Sequence, residues 1–257
     1  MGGLVDSRIF WFPSRMKHLI AALITITLAG PAASACGPDS LGTSRILTVA
    51  PKAGAHFGTK SYGGTLPLQP REVVLTFDDG PLPGPTDRVL EALAKECVKA
   101  TFFLIGRNAA ANPAHVKRIA REGHTLANHS MTHPWTMRTI SHDAAWKNIL
   151  EGESAITTAA GSAIAPFFRF PGFADTPALL DALDRRGIAT FGTDLWASDW
   201  NVMSPETQLK LVMDRLRKAN GGIVLFHDTK TQTATMLPAF LAGLKREGFR
   251  VVHLRAP

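Results

Sequence analysis

From residue 71 to the C-terminus, short apolar runs alternate with longer stretches of helical character. Residues 72–77 (EVVLTF), apolar but for Glu72 and Thr76, read as a buried strand. Residues 86–97 predict a helix with Thr86 as its N-cap, because a threonine hydroxyl can satisfy a free N–H of the first turn. Further strands are predicted at residues 100–105, 124–128, 167–170, 188–192, 223–226 and 249–253. Further helices are predicted at 113–122, 141–160, 177–186, 205–219 and 236–247. Within 141–160, Ala145, Ile149 and Ile156 recur at helical spacing, and Asn220-Gly221-Gly222 ends the helix at 205–219. Seven or eight strands alternating with helices imply an α/β fold with a parallel sheet, open or closed into a barrel.

The first 70 residues have a different texture. Residues 36–70 hold six Gly, four Pro and seven Ser/Thr, and read as an extended arm with one strand at 45–49. Ahead of it, Arg15, Lys17 and His18 precede a 12-residue apolar stretch, 19–30, followed by Pro31 and Ala33-Ser34-Ala35. A basic start, a short apolar run and an A-x-A end describe a secretory signal peptide over residues 1–35, and therefore export to the periplasm or beyond. The run is too short to span a bilayer. Because Met16 begins this pattern, residues 1–15 read as an artefact of start-site choice.

Cleavage after Ala35 would leave Cys36 as the first residue. Three readings stay open for the two cysteines: a lipid anchor on Cys36, a Cys36–Cys97 disulfide, or two unpaired thiols with Cys97 packed in the core. Ala33 stands where a lipoprotein signal usually has leucine, which counts against the anchor.

Composition narrows the function classes. With 45% hydrophobic and 19% charged residues, a wholly disordered chain is excluded. Two cysteines cannot build a disulfide scaffold or a four-thiolate zinc site. The formal charge is +7, yet the longest basic clusters are pairs, Lys117-Arg118 and Arg185-Arg186. Charge spread this thinly supports solubility or weak attraction to an acidic envelope polymer, not nucleic-acid binding.

Polar residues gather where the predicted strands end. Asp78-Asp79 closes the first, where a nucleotide fold would offer glycines. His129-Ser130-Met131-Thr132-His133 follows the third. Arg169-Phe170-Pro171-Gly172 ends the fourth, Asp194, Asp199 and Trp200 follow the fifth, and His227-Asp228 ends the sixth. In a parallel barrel these ends share one face, where barrel enzymes keep their sites. Each piece alone has a plainer reading: a solvated turn for the aspartates, a surface or capping role for the histidine pair, a core histidine for His227, a buried ion-pair partner for Arg169 and core packing for Trp200. Two histidines four apart can also share one helical face and bind one metal. Packing explains the joint occurrence of all these groups poorly.

Thr76-Phe77-Asp78-Asp79-Gly80, His129-Ser130-x-x-His133 and Leu225-x-His227, in this order, resemble the motifs of the polysaccharide deacetylases with a NodB-type homology domain, carbohydrate esterase family 4. The resemblance covers about residues 71–255. It implies a distorted, TIM-like (β/α) barrel of seven or eight strands and a divalent metal, commonly zinc, with cobalt or nickel as alternatives. It implies Asp79, His129 and His133 as metal ligands, Asp78 as catalytic base and His227 as general acid. It also implies metal-dependent N-deacetylation of a glycan containing N-acetylglucosamine, a chitin oligosaccharide or peptidoglycan. An acetylxylan-type O-acetyl esterase is the runner-up.

Two motifs depart from the family pattern. Gly172 stands where many relatives place a tyrosine, so an aromatic wall is missing unless Phe173 replaces it; the Gly172 N–H can still serve as oxyanion donor. In Asp194-Leu195-Trp196-Ala197-Ser198-Asp199-Trp200 the two aspartates are further apart than in D-x-x-D-W, and Asp199, beside Trp200, maps onto the acid that tunes His227. Arg169 is expected to pair with Asp78 and hold its pKa low. Leu225 and Trp200 are expected to form a small apolar pocket for the acetyl methyl. Two His and one carboxylate also describe a non-haem iron oxygenase, but here the histidines sit together and the acid is doubled. A silent glycan-binding domain would keep the groove without base or acid, and Asp78 and His227 are both present.

Overall fold

The computed structural model describes residues 1–4 and 36–257, and most of the expected leader, residues 5–35, lies outside the described residues. Cys36–Pro257 forms one unit. Its strands are β1 (Thr43–Thr48), β2 (His56–Phe57), β3 (Glu72–Asp78), β4 (Thr101–Leu104), β5 (Thr125–Asn128), β6 (Phe167–Phe168), β7 (Ala189–Phe191), β8 (Leu195–Trp196), β9 (Gly222–His227) and β10 (Arg250–Arg255). Its helices are α1 (Pro85–Lys95), α2 (Gly106–Ala111), α3 (Pro113–Arg121), α4 (His142–Ala160), α5 (Pro177–Arg185), α6 (Pro205–Ala219) and α7 (Thr231–Arg246).

Every strand pair is parallel. Strands β8, β9, β3, β4, β5, β6 and β7 neighbour one another in that order. They form the distorted barrel that the sequence predicts. No ladder joins β7 to β8; β2, from the arm, pairs with β7 at that gap. Strands β1 and β10 extend the sheet beyond the start of β3.

Alternation along the strands separates two layers. Val73, Leu75 and Phe77 of β3, Phe102 of β4 and Val224 and Phe226 of β9 pack against Leu90, Leu93, Leu237 and Phe240 of α1 and α7. Val74, Phe103, Ala127, Phe167, Phe191 and Ile223 face the other way, in a cluster built from strands and arm alone. The outer layer is dense in aromatics: Phe77 stacks on Phe102 at 5.1 Å and on Phe226 at 5.5 Å.

The arm is tied down along its length. Cys36 is disulfide-bonded to Cys97, which resolves the three readings of the cysteines in favour of the pair. Arg45 forks onto Glu72 at 2.8 and 2.6 Å. Asp194 accepts from Thr59 N–H at 2.9 Å, the Thr59 hydroxyl at 3.0 Å and the Thr65 hydroxyl at 2.7 Å, and also from Ile223 N–H at 2.8 Å.

Helix α1 starts one residue before the expected N-cap. Gly84 takes that position, with Asp87 accepting from its N–H at 2.8 Å, and Thr86 lies inside the first turn. The Thr86 hydroxyl accepts from Leu82 N–H at 2.8 Å and donates to Asp228 at 2.5 Å.

Candidate functional site

Strand parity aims the chemistry. On β3, Thr76 and Asp78 share the inward side of Val74; on β9, Leu225 and His227 share that of Ile223. Ala127 and Phe167 point inward too, and the same period carries His129 and Arg169 to the same side two residues on. The residues meet in a cavity of about 410 Å³ whose lining includes Asp78, His129, His133, Gly172, Leu225 and His227.

Asp78 is 2% exposed and accepts from Arg169 Nη1 at 2.7 Å. Arg169 is wholly buried. Its remaining donors reach the Thr76 hydroxyl at 2.9 Å and the carbonyls of Phe191 and Gly192 at 3.3 and 2.7 Å. It lines no part of the cavity, so it acts through Asp78 and is a positioning residue. The expectation that this ion pair holds the Asp78 pKa low is not met. Burial pushes it above the ordinary aspartate value, outweighing Arg169, His227 and His133, which all act to lower it.

The two histidines do not share a helical face. They belong to an irregular segment after β5 in which Ser130 and His133 adopt left-handed backbone, φ 69° and 58°. Side chains hold this segment in place. Asn128 Oδ1 accepts from Ser130 N–H at 2.9 Å, and Ser130 Oγ accepts from His133 N–H at 3.1 Å. From α4, Asn148 Oδ1 accepts from Met131 and Thr132 N–H at 3.0 and 3.2 Å.

The Arg169 carbonyl accepts from His129 Nδ1 at 2.7 Å, so the proton sits on Nδ1 and Nε2 keeps its lone pair. Burial lowers the His129 pKa to about 3, against the pull of Asp79, and keeps the ring neutral. His129 Nε2 and His133 Nε2 lie 3.6 and 3.5 Å from Asp79 Oδ1. That oxygen is buried and accepts no hydrogen bond. One oxygen and two nitrogens, all within 4.8 Å of one another, fit a divalent cation. An unpartnered buried carboxylate oxygen facing the His129 lone pair is otherwise an unfavourable arrangement.

His227 has its own carboxylate. Asp199 Oδ1 is 2.7 Å from Nδ1, and Asp199 Oδ2 accepts from the His227 N–H and the Thr233 hydroxyl, each at 2.7 Å. Burial alone would lower the His227 pKa; the Asp199 hydrogen bond and charge, with Asp79 and Asp78, outweigh it and raise it to about 9. Asp194 does not reach the site. Its bonds to Thr59, Thr65 and Ile223 anchor the arm instead.

Aromatic residues wall the cavity, and sequence reasoning gave no place there to Trp135, Phe170 or Trp196. Gly172 has φ 56°, and a β-carbon there would stand 2.7 Å from the Trp135 indole. Trp135, not Phe173, thus occupies the space of a side chain at 172; it is 73% exposed and lies edge-on to His133 at 4.6 Å. Phe173 also lines the cavity, packed towards Trp196 at 6.3 Å. Trp196 meets Trp200 at 5.8 Å, and Trp200 meets His227 at 6.1 Å. Its place two residues after His133 was the signal for Trp135; its approach to Gly172 is a tertiary contact that no local pattern records.

The polysaccharide deacetylase family model matches residues 66–191. A chitooligosaccharide deacetylase of Bradyrhizobium sp. (strain ANU 289) is 33% identical over 198 residues, 70% of this chain and 88% of that one. A peptidoglycan-N-acetylglucosamine deacetylase of Bacillus cereus is 33% identical over 201 residues, 76% of this chain and 70% of that one. The chain belongs to the polysaccharide deacetylase family. Among solved structures of the family, a peptidoglycan deacetylase of Bdellovibrio bacteriovorus superposes with a TM-score of 0.74 at 32% identity. That match covers 85% of this chain and spans 61% of the other, longer chain.

Proposed function

We propose that this polysaccharide deacetylase is an exported, metal-dependent hydrolase that removes acetyl groups from N-acetylglucosamine units of a glycan and releases acetate. The observation that carries the reading is the unpartnered Asp79 oxygen facing two imidazole nitrogens, between a buried Asp78–Arg169 pair and a His227–Asp199 pair. Asp79, His129 and His133 hold the cation, and two nitrogens with one oxygen suit zinc, cobalt or nickel better than magnesium or calcium. Such a cation, when bound, acidifies water and polarises the acetyl carbonyl.

The remaining work falls to side chains. Asp78 takes the proton of the attacking water, and burial makes it a better acceptor than a surface aspartate. Arg169 fixes the carboxylate in place. The Gly172 N–H donates to the oxyanion as the carbonyl carbon becomes tetrahedral. His227, held as an imidazolium by Asp199, gives its proton to the departing amine, which is otherwise too poor a leaving group. Leu225 and Trp200 line the part of the cavity suited to an acetyl methyl. Export agrees with the leader pattern in the sequence and with the Cys36–Cys97 disulfide, which belongs to an oxidising compartment.

The test is acetate release from chitin oligomers, peptidoglycan and acetylxylan by protein loaded with zinc, cobalt or nickel. Acetate from either N-acetylated glycan supports the reading. Acetate from acetylxylan alone would replace it with an O-acetyl esterase.

A further inference from the structure

Trp196 lines two cavities. One is the catalytic cleft; the other is a neighbouring cleft of about 530 Å³ lined also by Lys60, Arg215 and Lys218. Lys60 Nζ lies 5.5 Å over the Trp196 ring. Arg215 Nη1 donates to the Trp196 carbonyl at 2.7 Å and to the Ser198 hydroxyl at 2.6 Å. Those two bonds fix a half-buried guanidinium at the cleft. Among the described residues its Nε and Nη2 have no hydrogen-bond acceptor, and none of the three cations has a carboxylate within 4 Å. The acids close by in the chain are already committed. Asp194, which also lines this cleft, accepts from the neutral donors of Thr59, Thr65 and Ile223, so that three cations face one carboxylate there. Asp214 pairs with Lys210 and Arg217, and Glu247 with Arg217.

From His227 the aromatic path runs to Trp200 at 6.1 Å and to Trp196 at 5.8 Å, and Lys60 stands 5.5 Å beyond. Each step is comparable to the length of one pyranose unit. Trp196 is thus common to both clefts, and a glycan lying over Trp200 and Trp196 would have the second cleft within reach of a neighbouring unit.

We infer that this cleft is an anion subsite of the substrate groove, which takes a carboxylate carried near the reacting sugar. The inference rests on the N-deacetylase reading and divides its two glycan classes. A chitin oligomer is uncharged, whereas the strands of peptidoglycan carry peptides with free carboxylates on alternate sugars. A guanidinium whose Nε–Nη2 edge is free matches a carboxylate. Two lysines without acid partners add an attraction that a neutral glycan does not feel. The subsite favours the peptide-bearing glycan.

The experiment uses the zinc-loaded protein with two ligands of equal sugar length, a peptide-bearing peptidoglycan fragment and a chitin tetramer. Lys60→Ala/Lys218→Ala removes two exposed cations that make no bond on which the fold depends, and leaves Arg215 to hold its loop. Calorimetric titration at low salt should show the double variant binding the peptide-bearing fragment about tenfold more weakly, with a smaller loss on adding salt. Its Kd for the neutral tetramer should move by about twofold or less. Equal weakening for both ligands, no weakening for either, or no measurable binding of the peptide-bearing fragment by the unaltered protein would overturn the subsite. Failure of the underlying reading shows separately, as the absence of acetate from both glycans, because the titration needs no turnover.

Discussion

Trp135 lies across Gly172, so that a β-carbon at position 172 would stand 2.7 Å from its Cε3 and 2.8 Å from its Cζ3. The glycine serves the left-handed backbone and the indole at once. A family site that lacks the tyrosine of this motif is still closed by an aromatic wall, supplied from the loop that carries His133. Trp135→Ala should raise KM for an acetylated glycan about 3–10-fold, the range of one aromatic contact, with kcat little changed. Steady-state kinetics decide it. A fall in kcat at constant KM would mean that the indole supports His133 instead of the sugar.

The metal assignment separates two adjacent aspartates. Asp79→Asn should lose zinc, measured by elemental analysis, and should no longer gain thermal stability on adding zinc. Asp78→Asn should keep the metal and lose about 10²–10⁴ in kcat. A metal-free Asp78→Asn protein would exchange their roles. Chelation should abolish activity, and zinc or cobalt should restore it.

The strands that flank the site were legible because they are buried on both faces: β3 and β9 read as largely apolar runs whatever their neighbours do. Strands β2 and β8 were not, since two residues, His56–Phe57 and Leu195–Trp196, carry no period. Helix α2 is six residues long and opens on Gly106, too short and too weakly helical to stand out. Helix α7 begins at Thr231, five residues before the expected start, because burial of Thr233 and Ala234 overrides the poor helix propensity of its threonines. The site residues were legible as strand ends. Their alliances were less so. The histidine loop owes its shape to Asn128 and Asn148, and the balance between burial and Arg169 at Asp78 depends on a depth of burial that sequence does not state.

The disulfide makes the arm a stability element. Cys36 and Cys97 are 61 residues apart, and closing a loop of that length contributes about 4 kcal/mol by restricting the unfolded chain. Cys97→Ser should lower Tm by roughly 10 °C in a scan without reductant. Adding reductant should lower the unaltered protein towards the variant and leave the variant unchanged.

The last prediction separates Asp199 from Asp194. Asp199 bonds both the ring and the backbone N–H of His227, and the raised pKa of about 9 depends on it. If the imidazolium is the general acid, activity falls as pH rises through that value, because the proton needed by the leaving amine is gone. Asp199→Asn removes the charge while an amide oxygen can still accept from Nδ1. The His227 pKa then drops, and the alkaline limb of kcat/KM should move to lower pH. The same linkage acts on stability. A folded pKa above the ordinary histidine value of 6.5 gives stability that is full below about pH 6.5 and lost as pH rises towards 9. The stability difference between the unaltered protein and Asp199→Asn should therefore narrow with rising pH over that window. Asp194→Asn touches neither His227 nor the cavity. It weakens the hold of Thr59 and Thr65 on the barrel, so it should lower Tm at every pH and leave the limb in place. Kinetic pH profiles and thermal scans of the two variants, side by side, check both halves. A limb that shifts with Asp194→Asn and not with Asp199→Asn would overturn the pairing of Asp199 with His227 as the source of the acid.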